Sequence, residues 1–120
     1  MMTKTFHHIG LPTDDTQPGE TYIADTKVWV TDPANHPSRV EFLRFEPDSP
    51  VTGPLRNLPH IAYMVENMDT ALKGEDIILE PFSPMPGLSV AFFWKDGAVI
   101  EYMDFEGDAT EFAHLKQDQP

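Results

Sequence analysis

Residues 40–48 (VEFLRFEPD) and residues 100–108 (IEYMDFEGD) read as two copies of one segment. A second match supports the first, because His8-Ile9-Gly10 near the start of the chain corresponds to His60-Ile61-Ala62 in the middle. A duplicated module explains both matches. A chain of 120 residues suffices for one compact domain but not for two independent ones. We therefore expect the two copies to be halves of one fold.

Each copy carries one histidine and one glutamate at matching places, His8 and Glu41 in the first copy and His60 and Glu101 in the second. If the two modules pack around a pseudo-twofold axis, these four side chains converge on one point. Two imidazoles and two carboxylates form a complete ligand set for a divalent ion such as that of Zn, Ni, Co, Mn or Fe. We therefore predict a metal site made of these four residues, and the identity of the metal stays open.

A structural interpretation competes with the metal site. A lone histidine on a strand is more often a hydrogen-bonded structural residue, and a lone glutamate near a strand end is usually a solvated charge. Four such residues at equivalent places in a repeat favour the metal site. The other histidines lie outside the pattern, since His7 faces away from His8, His36 lies in a proline-bounded loop and His114 lies near the tail. We assign structural roles to these three.

Composition narrows the possible partners. Twenty acidic and eight basic residues give a net charge of -12, which repels nucleic acids and anionic membrane surfaces. Cysteine is absent, so disulfides and thiolate chemistry are excluded. No apolar run reaches membrane-spanning length, and the motifs of nucleotide-binding, serine-nucleophile and zincin sites are missing. We expect a cytoplasmic protein that binds a small molecule and neither nucleic acid nor membrane.

Runs rich in β-branched and aromatic residues, bounded by turn and breaker residues, predict strands at residues 6–12, 21–30, 39–45, 60–65, 77–80, 88–95 and 98–105. A short helix is expected after the capping residues Asn67 or Asp69, and Gly74 ends it. The second half therefore has the order βαβββ, whereas no helix is evident in the first half. Phe92 and Trp94 alternate onto one face of their strand, where they pack or line a pocket.

Prolines and capping residues set the predicted boundaries. We expect a single domain over residues 1–120, with module one at about 5–46, a proline-rich connector at 47–59 and module two at 60–106. Asp108 and Glu111 have capping-box form, which predicts a C-terminal helix at about 108–116 with Phe112 and Leu115 on one side.

The segments FHHIGLP, RVEFLRFEPDSP, LPHIAYMVENMDTAL and GAVIEYMDFEG resemble the vicinal oxygen chelate superfamily, and most closely its methylmalonyl-CoA epimerase and lactoylglutathione lyase branch. The resemblance implies an α+β fold, with two pseudo-symmetric βαβββ-type modules that form a curved mixed sheet around a cleft. In that branch a histidine on the first strand and a Glu or Gln on the last strand of each module hold the metal. These positions correspond to His8, Glu41, His60 and Glu101.

By similarity to this branch, the chain is expected to be a metal-dependent isomerase or lyase acting on a small α-hydroxy or α-keto compound or a thioester. The ion stabilises negative charge while a proton leaves the adjacent carbon. Glu101 is the leading candidate base, and Glu41 is its pseudo-symmetric counterpart. The alternative is a non-catalytic, resistance-type binding protein of the same fold. Dioxygenase chemistry ranks third, because that branch uses two histidines and one carboxylate, and Glu41 would be one too many.

The chain departs from the superfamily pattern in its first module, where only Thr13 to Asp25 replaces the usual helix and strand. Ile9 and Leu11 would then be uncovered, and we expect the C-terminal helix to pack over them. Unprotected strand edges in so short a chain, together with the resemblance, also predict a homodimer. Light scattering can check this expectation.

Overall fold

A computed structural model of the protein describes residues 4–106. The strands are β1 (Lys4–Pro12), β2 (Thr21–Ile23), β3 (Val28–Val30), β4 (Val40–Phe45), β5 (His60–Val65), β6 (Asp76–Met85), β7 (Leu88–Lys95) and β8 (Ala98–Phe105). The helices are a 3₁₀ turn (Pro33–Asn35), α1 (Pro54–Asn57) and α2 (Met68–Ala71). The eight strands belong to one mixed sheet in the order β2-β3-β4-β1-β5-β8-β7-β6. The predicted α+β class with a mixed sheet is confirmed.

Two compact units make up the described chain. One unit contains residues 4–7 and 60–106, and the other contains residues 8–59. Strand β1 therefore contributes its first residues to one unit and the rest to the other. The larger part of the first unit begins at His60, where module two was expected to begin. Organisation as a single domain stays a prediction.

In the unit of residues 60–106, helix α2 packs on one face of the sheet. Phe93, Ile100 and Tyr102 form a buried cluster with Met68 and Ala71 of the α2 helix. The helix begins after Asn67, whose side chain accepts a hydrogen bond from the Thr70 N–H at 3.1 Å, as the sequence predicted. Glu101 alternates with Ile100 and Tyr102 along β8, so it points to the face opposite α2.

A tight turn at Asp96 and Gly97 joins β7 to β8. Lys95 pairs with Ala98, and Asp96 and Gly97 between them have φ values of 53° and 82°. Positive φ at both central residues is typical of the type I′ turn, whose twist matches that of the strands. Asp-Gly is the dipeptide that adopts this conformation most readily.

Strand β6 is longer than the sequence predicted, because it continues from the expected residues 77–80 to Met85. The extension includes Pro81 and Pro84, although proline cannot donate a ladder hydrogen bond. However, β6 lies at the edge of the sheet, and its pairing with β7 has three register shifts. Edge strands and bulges are the places in a sheet that tolerate proline.

In the unit of residues 8–59, β1 and β4 are parallel, and β2, β3 and β4 are antiparallel neighbours. The predicted strand over residues 21–30 is in fact two strands, separated by a turn in which Lys27 has a φ of 49°. Between β1 and β4 this unit has no α-helix, only the 3₁₀ turn, in agreement with the absence of a helix pattern. The connector, expected to be irregular, contains α1, where Pro54 occupies the first turn and its missing N–H costs no hydrogen bond.

A charged and aromatic cluster lies on the face of β4 opposite Glu41. Arg44 donates two hydrogen bonds to the Glu20 carboxylate, at 2.9 Å from Nε and 2.7 Å from Nη2. Its guanidinium lies 5.2 Å from the ring centre of Trp29, and Trp29 Nε1 donates to Glu46 Oε1 at 2.8 Å. These contacts place the Arg44 guanidinium over the Trp29 ring on this face of the sheet. The Arg44 hydrogen bonds hold the pKa of Glu20 below its ordinary value of 4.5.

We expect Glu20→Gln to lower the melting temperature at neutral pH by a few degrees. The lowered pKa means that the stabilisation is present above the ordinary value of 4.5 and is lost as the pH falls through the folded-state pKa. Thermal unfolding at about pH 7 and about pH 3 therefore should show a deficit that shrinks in acid. Glu80→Gln, on an exposed part of β6, is the matched control. Equal melting of Glu20→Gln and wild type at neutral pH would contradict the assignment.

The predicted C-terminal helix at about 108–116 lies outside the described residues. Its expected packing over Ile9 and Leu11 therefore stays a prediction. Ile9 and Leu11 themselves are half-buried.

Within residues 4–106, none of the helices has the length and apolar character needed to cross a membrane.

Candidate metal centre

Strands β1 and β4 bring His8 and Glu41 together. The strands are parallel, with Gly10 opposite Glu41, and His8 lies two residues before Gly10 on the same face. His8 Nε2 and Glu41 Oε1 are 3.3 Å apart. Both side chains are buried, with residue exposures of 0% for His8 and 7% for Glu41.

Strands β5 and β8 repeat this arrangement with His60 and Glu101. Here Ala62 lies opposite Glu101, and His60 lies two residues before Ala62 on the same face. His60 Nε2 and Glu101 Oε1 are 3.1 Å apart, and both residues are buried. The duplication seen in the sequence therefore also holds for the pairing of the strands. In both His–Glu pairs the histidine lies two residues before the residue opposite the glutamate on the neighbouring parallel strand.

Three of the four predicted ligands form one group. His8, His60 and Glu101 are buried, and each offers one ligand atom that lies within 4.8 Å of those of the other two. This group can bind a metal ion. Glu41 contacts His8 of the group, and its role as a fourth ligand stays a prediction.

The chemistry of these donors fits a divalent ion. Imidazole nitrogen and carboxylate oxygen lie at ~2.0–2.2 Å from Zn²⁺, so two ligands of a tetrahedral ion are about 3.4 Å apart. The atoms of the two His–Glu pairs are 3.3 Å and 3.1 Å apart, close to that separation. The same distances suit an ion pair with a protonated imidazole, and metal analysis distinguishes the two. Nitrogen and oxygen donors without thiolate suit Zn, Ni, Co, Mn or Fe.

An aromatic side chain borders the site. Phe92 lies opposite Glu101 in the β7–β8 pair, so the two share a face of the sheet. Its ring centre is 5.5 Å from that of His60, and the rings are nearly perpendicular. Phe92 thus fixes the His60 imidazole by edge-to-face packing and gives the site an apolar wall.

The structural roles assigned to other histidines fit the contacts within residues 4–106. His7 is 1% exposed and packs against Phe105, with ring centres 5.6 Å apart. His36 Nδ1 accepts a hydrogen bond from the Ser38 N–H at 3.0 Å, and the ring lies edge-on to Phe42. His114 lies outside the described residues.

A cavity of about 220 Å³ in the unit of residues 8–59 was not foreseen from the sequence. It is lined by Pro12, Thr13, Asp14, Leu43, Phe45, Arg56 and Asn57. Residues 47–59 were regarded only as a connector, so Arg56 received no role. The signal that could have identified it is its position as the sole cation in that proline-rich segment.

Comparison with known proteins found similarity in three-dimensional structure and none in sequence families. No family model matches the chain, and no curated protein matches it. The crystal structure of hypothetical protein BH1468 from Bacillus halodurans C-125 superposes with a TM-score of 0.62 and 18% sequence identity, over 89% of this chain and 98% of that one. Methylmalonyl-CoA epimerase from Mycobacterium tuberculosis superposes with a TM-score of 0.58 and 14% identity, over 86% of this chain and 89% of that one. The chain therefore has the fold of the vicinal oxygen chelate superfamily.

Proposed function

We propose that the protein is a divalent-metal-dependent isomerase or lyase that moves a proton at the carbon next to a carbonyl group. Its substrate is a small α-hydroxy or α-keto compound or a thioester. The observation that carries this proposal is the buried group of His8, His60 and Glu101, with Glu41 in contact with His8. The likeness in fold to a methylmalonyl-CoA epimerase supports the choice of reaction class.

In this proposal the histidines bind the ion, and the glutamates both bind it in the resting site and move protons. His8, His60 and the two glutamates would hold an ion that, when bound, would stabilise the negative charge that develops on the carbonyl oxygen. Glu101 takes the proton from the adjacent carbon, and Glu41 in the equivalent place of the other module can return one. Each glutamate is only 7% exposed, so most of each carboxylate faces protein groups, and the exposed part lets an abstracted proton exchange with solvent.

A second candidate function is non-catalytic binding of a small molecule. The observation that favours it is the lack of an α-helix between β1 and β4 in residues 8–59, since that element would help to enclose a substrate. Phe92 beside His60 would then serve as a surface on which a ligand packs. A binding protein of this kind would hold its ligand without exchanging protons.

Metal analysis followed by proton exchange tests the proposal. Protein purified without chelator is expected to contain about one divalent ion per chain, held at a single site of this ligand type. NMR in D₂O would then follow deuterium incorporation into α-hydroxy ketones, α-keto acids and acyl thioesters. Exchange that requires the ion supports the enzyme. Binding without exchange favours the second function, and protein that neither contains nor takes up an ion contradicts the proposal.

A further inference from the structure

We propose that the cavity beside β4 binds an anionic group of the substrate, a carboxylate or a phosphate, and that Arg56 recognises it. This inference rests on the proposed function and specifies its substrate class. The reacting compound would carry a second, negatively charged end in addition to its carbonyl group.

The position of the cavity relative to Glu41 supports this assignment. Leu43 and Phe45 line the cavity, and alternation along β4 places both on the same face as Glu41. Because a strand rises about 3.3 Å per residue, they lie roughly 7 Å and 13 Å from Glu41 along the strand. A ligand whose reacting carbon is next to Glu41 can therefore extend along this face into the cavity.

Arg56 has the donors for an anion. Its Nη2 donates to the Glu46 carbonyl oxygen at 3.1 Å, and its guanidinium lies 5.7 Å from the ring centre of Phe45. These contacts position the side chain but use few of its five N–H donors. No carboxylate within residues 4–106 lies within 4.0 Å of it, whereas Arg44 and Lys27 of the same unit are paired with carboxylates. The planar fork of a guanidinium matches a carboxylate or a phosphate.

Other lining residues complete a polar surface. Asn57 can offer a side-chain amide, and the Thr13 oxygen accepts from the Asp15 N–H at 3.1 Å while its hydroxyl can still donate. The Asp14 carboxylate would repel a bound anion, but Asp14 is exposed, so solvent and salt weaken this repulsion. A net charge of -12 repels anions in general, so anion binding here requires a specific local cation.

The volume of the cavity suits one anionic group of a substrate rather than a whole cofactor. Its volume of about 220 Å³ corresponds to the space of several water molecules, each occupying ≈ 30 Å³ in the liquid. A carboxylate or phosphate with a few attached atoms fits this volume.

The competing interpretation is that Arg56 has only a structural role. Its hydrogen bond to Glu46 and its contact with Phe45 would then stabilise the position of the connector next to β4.

Titration of metal-free protein with inorganic phosphate and with succinate, followed by NMR of the backbone amides, tests the inference. We expect at least one of the two anions to shift the amides of Thr13 and Asn57, and the stronger of them identifies the group. Arg56→Gln should weaken this binding about tenfold or more, because a hydrogen bond to a charged group is lost. Asp14→Asn should strengthen it about twofold by removing a screened repulsion. Lys73→Gln, the same change in charge at an exposed residue of the other unit, should have no effect.

The variants separate recognition from a structural role. Arg56→Lys keeps the charge and should retain part of the affinity, and Asp14→Asn reports on the cavity even if Arg56→Gln does not fold. The inference is wrong if neither anion shifts these amides, or if Arg56→Gln binds the anion as wild type does. If Arg56→Gln does not fold, unchanged binding by both Arg56→Lys and Asp14→Asn overturns it instead. Because the titration uses no metal, anion binding by a protein that takes up no ion would leave the cavity assigned and reject the proposed function alone.

Discussion

Glu101→Gln is expected to slow proton exchange on the substrate by about 10²-fold or more while the protein still takes up metal. Glutamine keeps an oxygen that can act as a ligand but is not basic, so the variant separates proton transfer from metal binding. Glu101 is buried, and its Oε1 lies 3.1 Å from His60 Nε2, so the carboxylate is held beside a ligand of the proposed ion. Deuterium incorporation and metal content, measured on the same preparation, give the two quantities.

The duplicated arrangement allows a sharper form of this test. Glu41 and Glu101 have the same offset from a histidine in the two modules, so each can serve one face of a planar carbon. For a chiral substrate we expect Glu101→Gln to stop exchange mainly from one enantiomer and Glu41→Gln mainly from the other. Glu80→Gln, on an exposed part of β6, is the control and should exchange as wild type does. An unchanged rate in Glu101→Gln with both enantiomers would exclude it as the base.

Local patterns in the sequence predicted most of the module that contains residues 60–106. The strands over residues 60–65, 88–95 and 98–105 have the predicted bounds, because runs of β-branched and aromatic residues bounded by turn residues, together with an Asp-Gly turn, are strong local signals. The repeat also singled out the four predicted metal ligands, and their convergence on one ion stays a prediction. Within each module the structure places the histidine beside the glutamate, His8 with Glu41 and His60 with Glu101.

Features that depend on contacts distant in sequence were not predicted. Arg44 binds Glu20 across 24 positions, and nothing in the alternation of either segment indicates this pair. Arg56 belongs to the cavity only because α1 brings the connector next to Leu43 and Phe45. Strand β6 runs past its prolines because it lies at the sheet edge, and edge position is a property of the whole sheet. Local periodicity carries no information on such arrangements.

A metal-dependent rise in melting temperature is the second large effect that we expect. An ion present at 100 times its dissociation constant stabilises the folded state by about 2.7 kcal/mol, which for a chain of this size raises the melting temperature by about 10 °C. His60→Ala removes one of the three grouped ligands and should abolish this rise. His36→Ala removes an imidazole that contacts Ser38 and Phe42 instead, so it should keep the full rise.

The comparison is made within each variant, between protein loaded with Zn²⁺ or Ni²⁺ and the same protein in chelator. A lower absolute stability of His60→Ala, which also loses its packing against Phe92, then does not affect the result. His60→Gln, closer to histidine in volume, serves if the alanine variant does not fold. If the buried pairs are only imidazolium–carboxylate ion pairs, wild type itself would show no rise with any divalent ion. A rise of equal size in wild type and His60→Ala would instead place the ion at other residues.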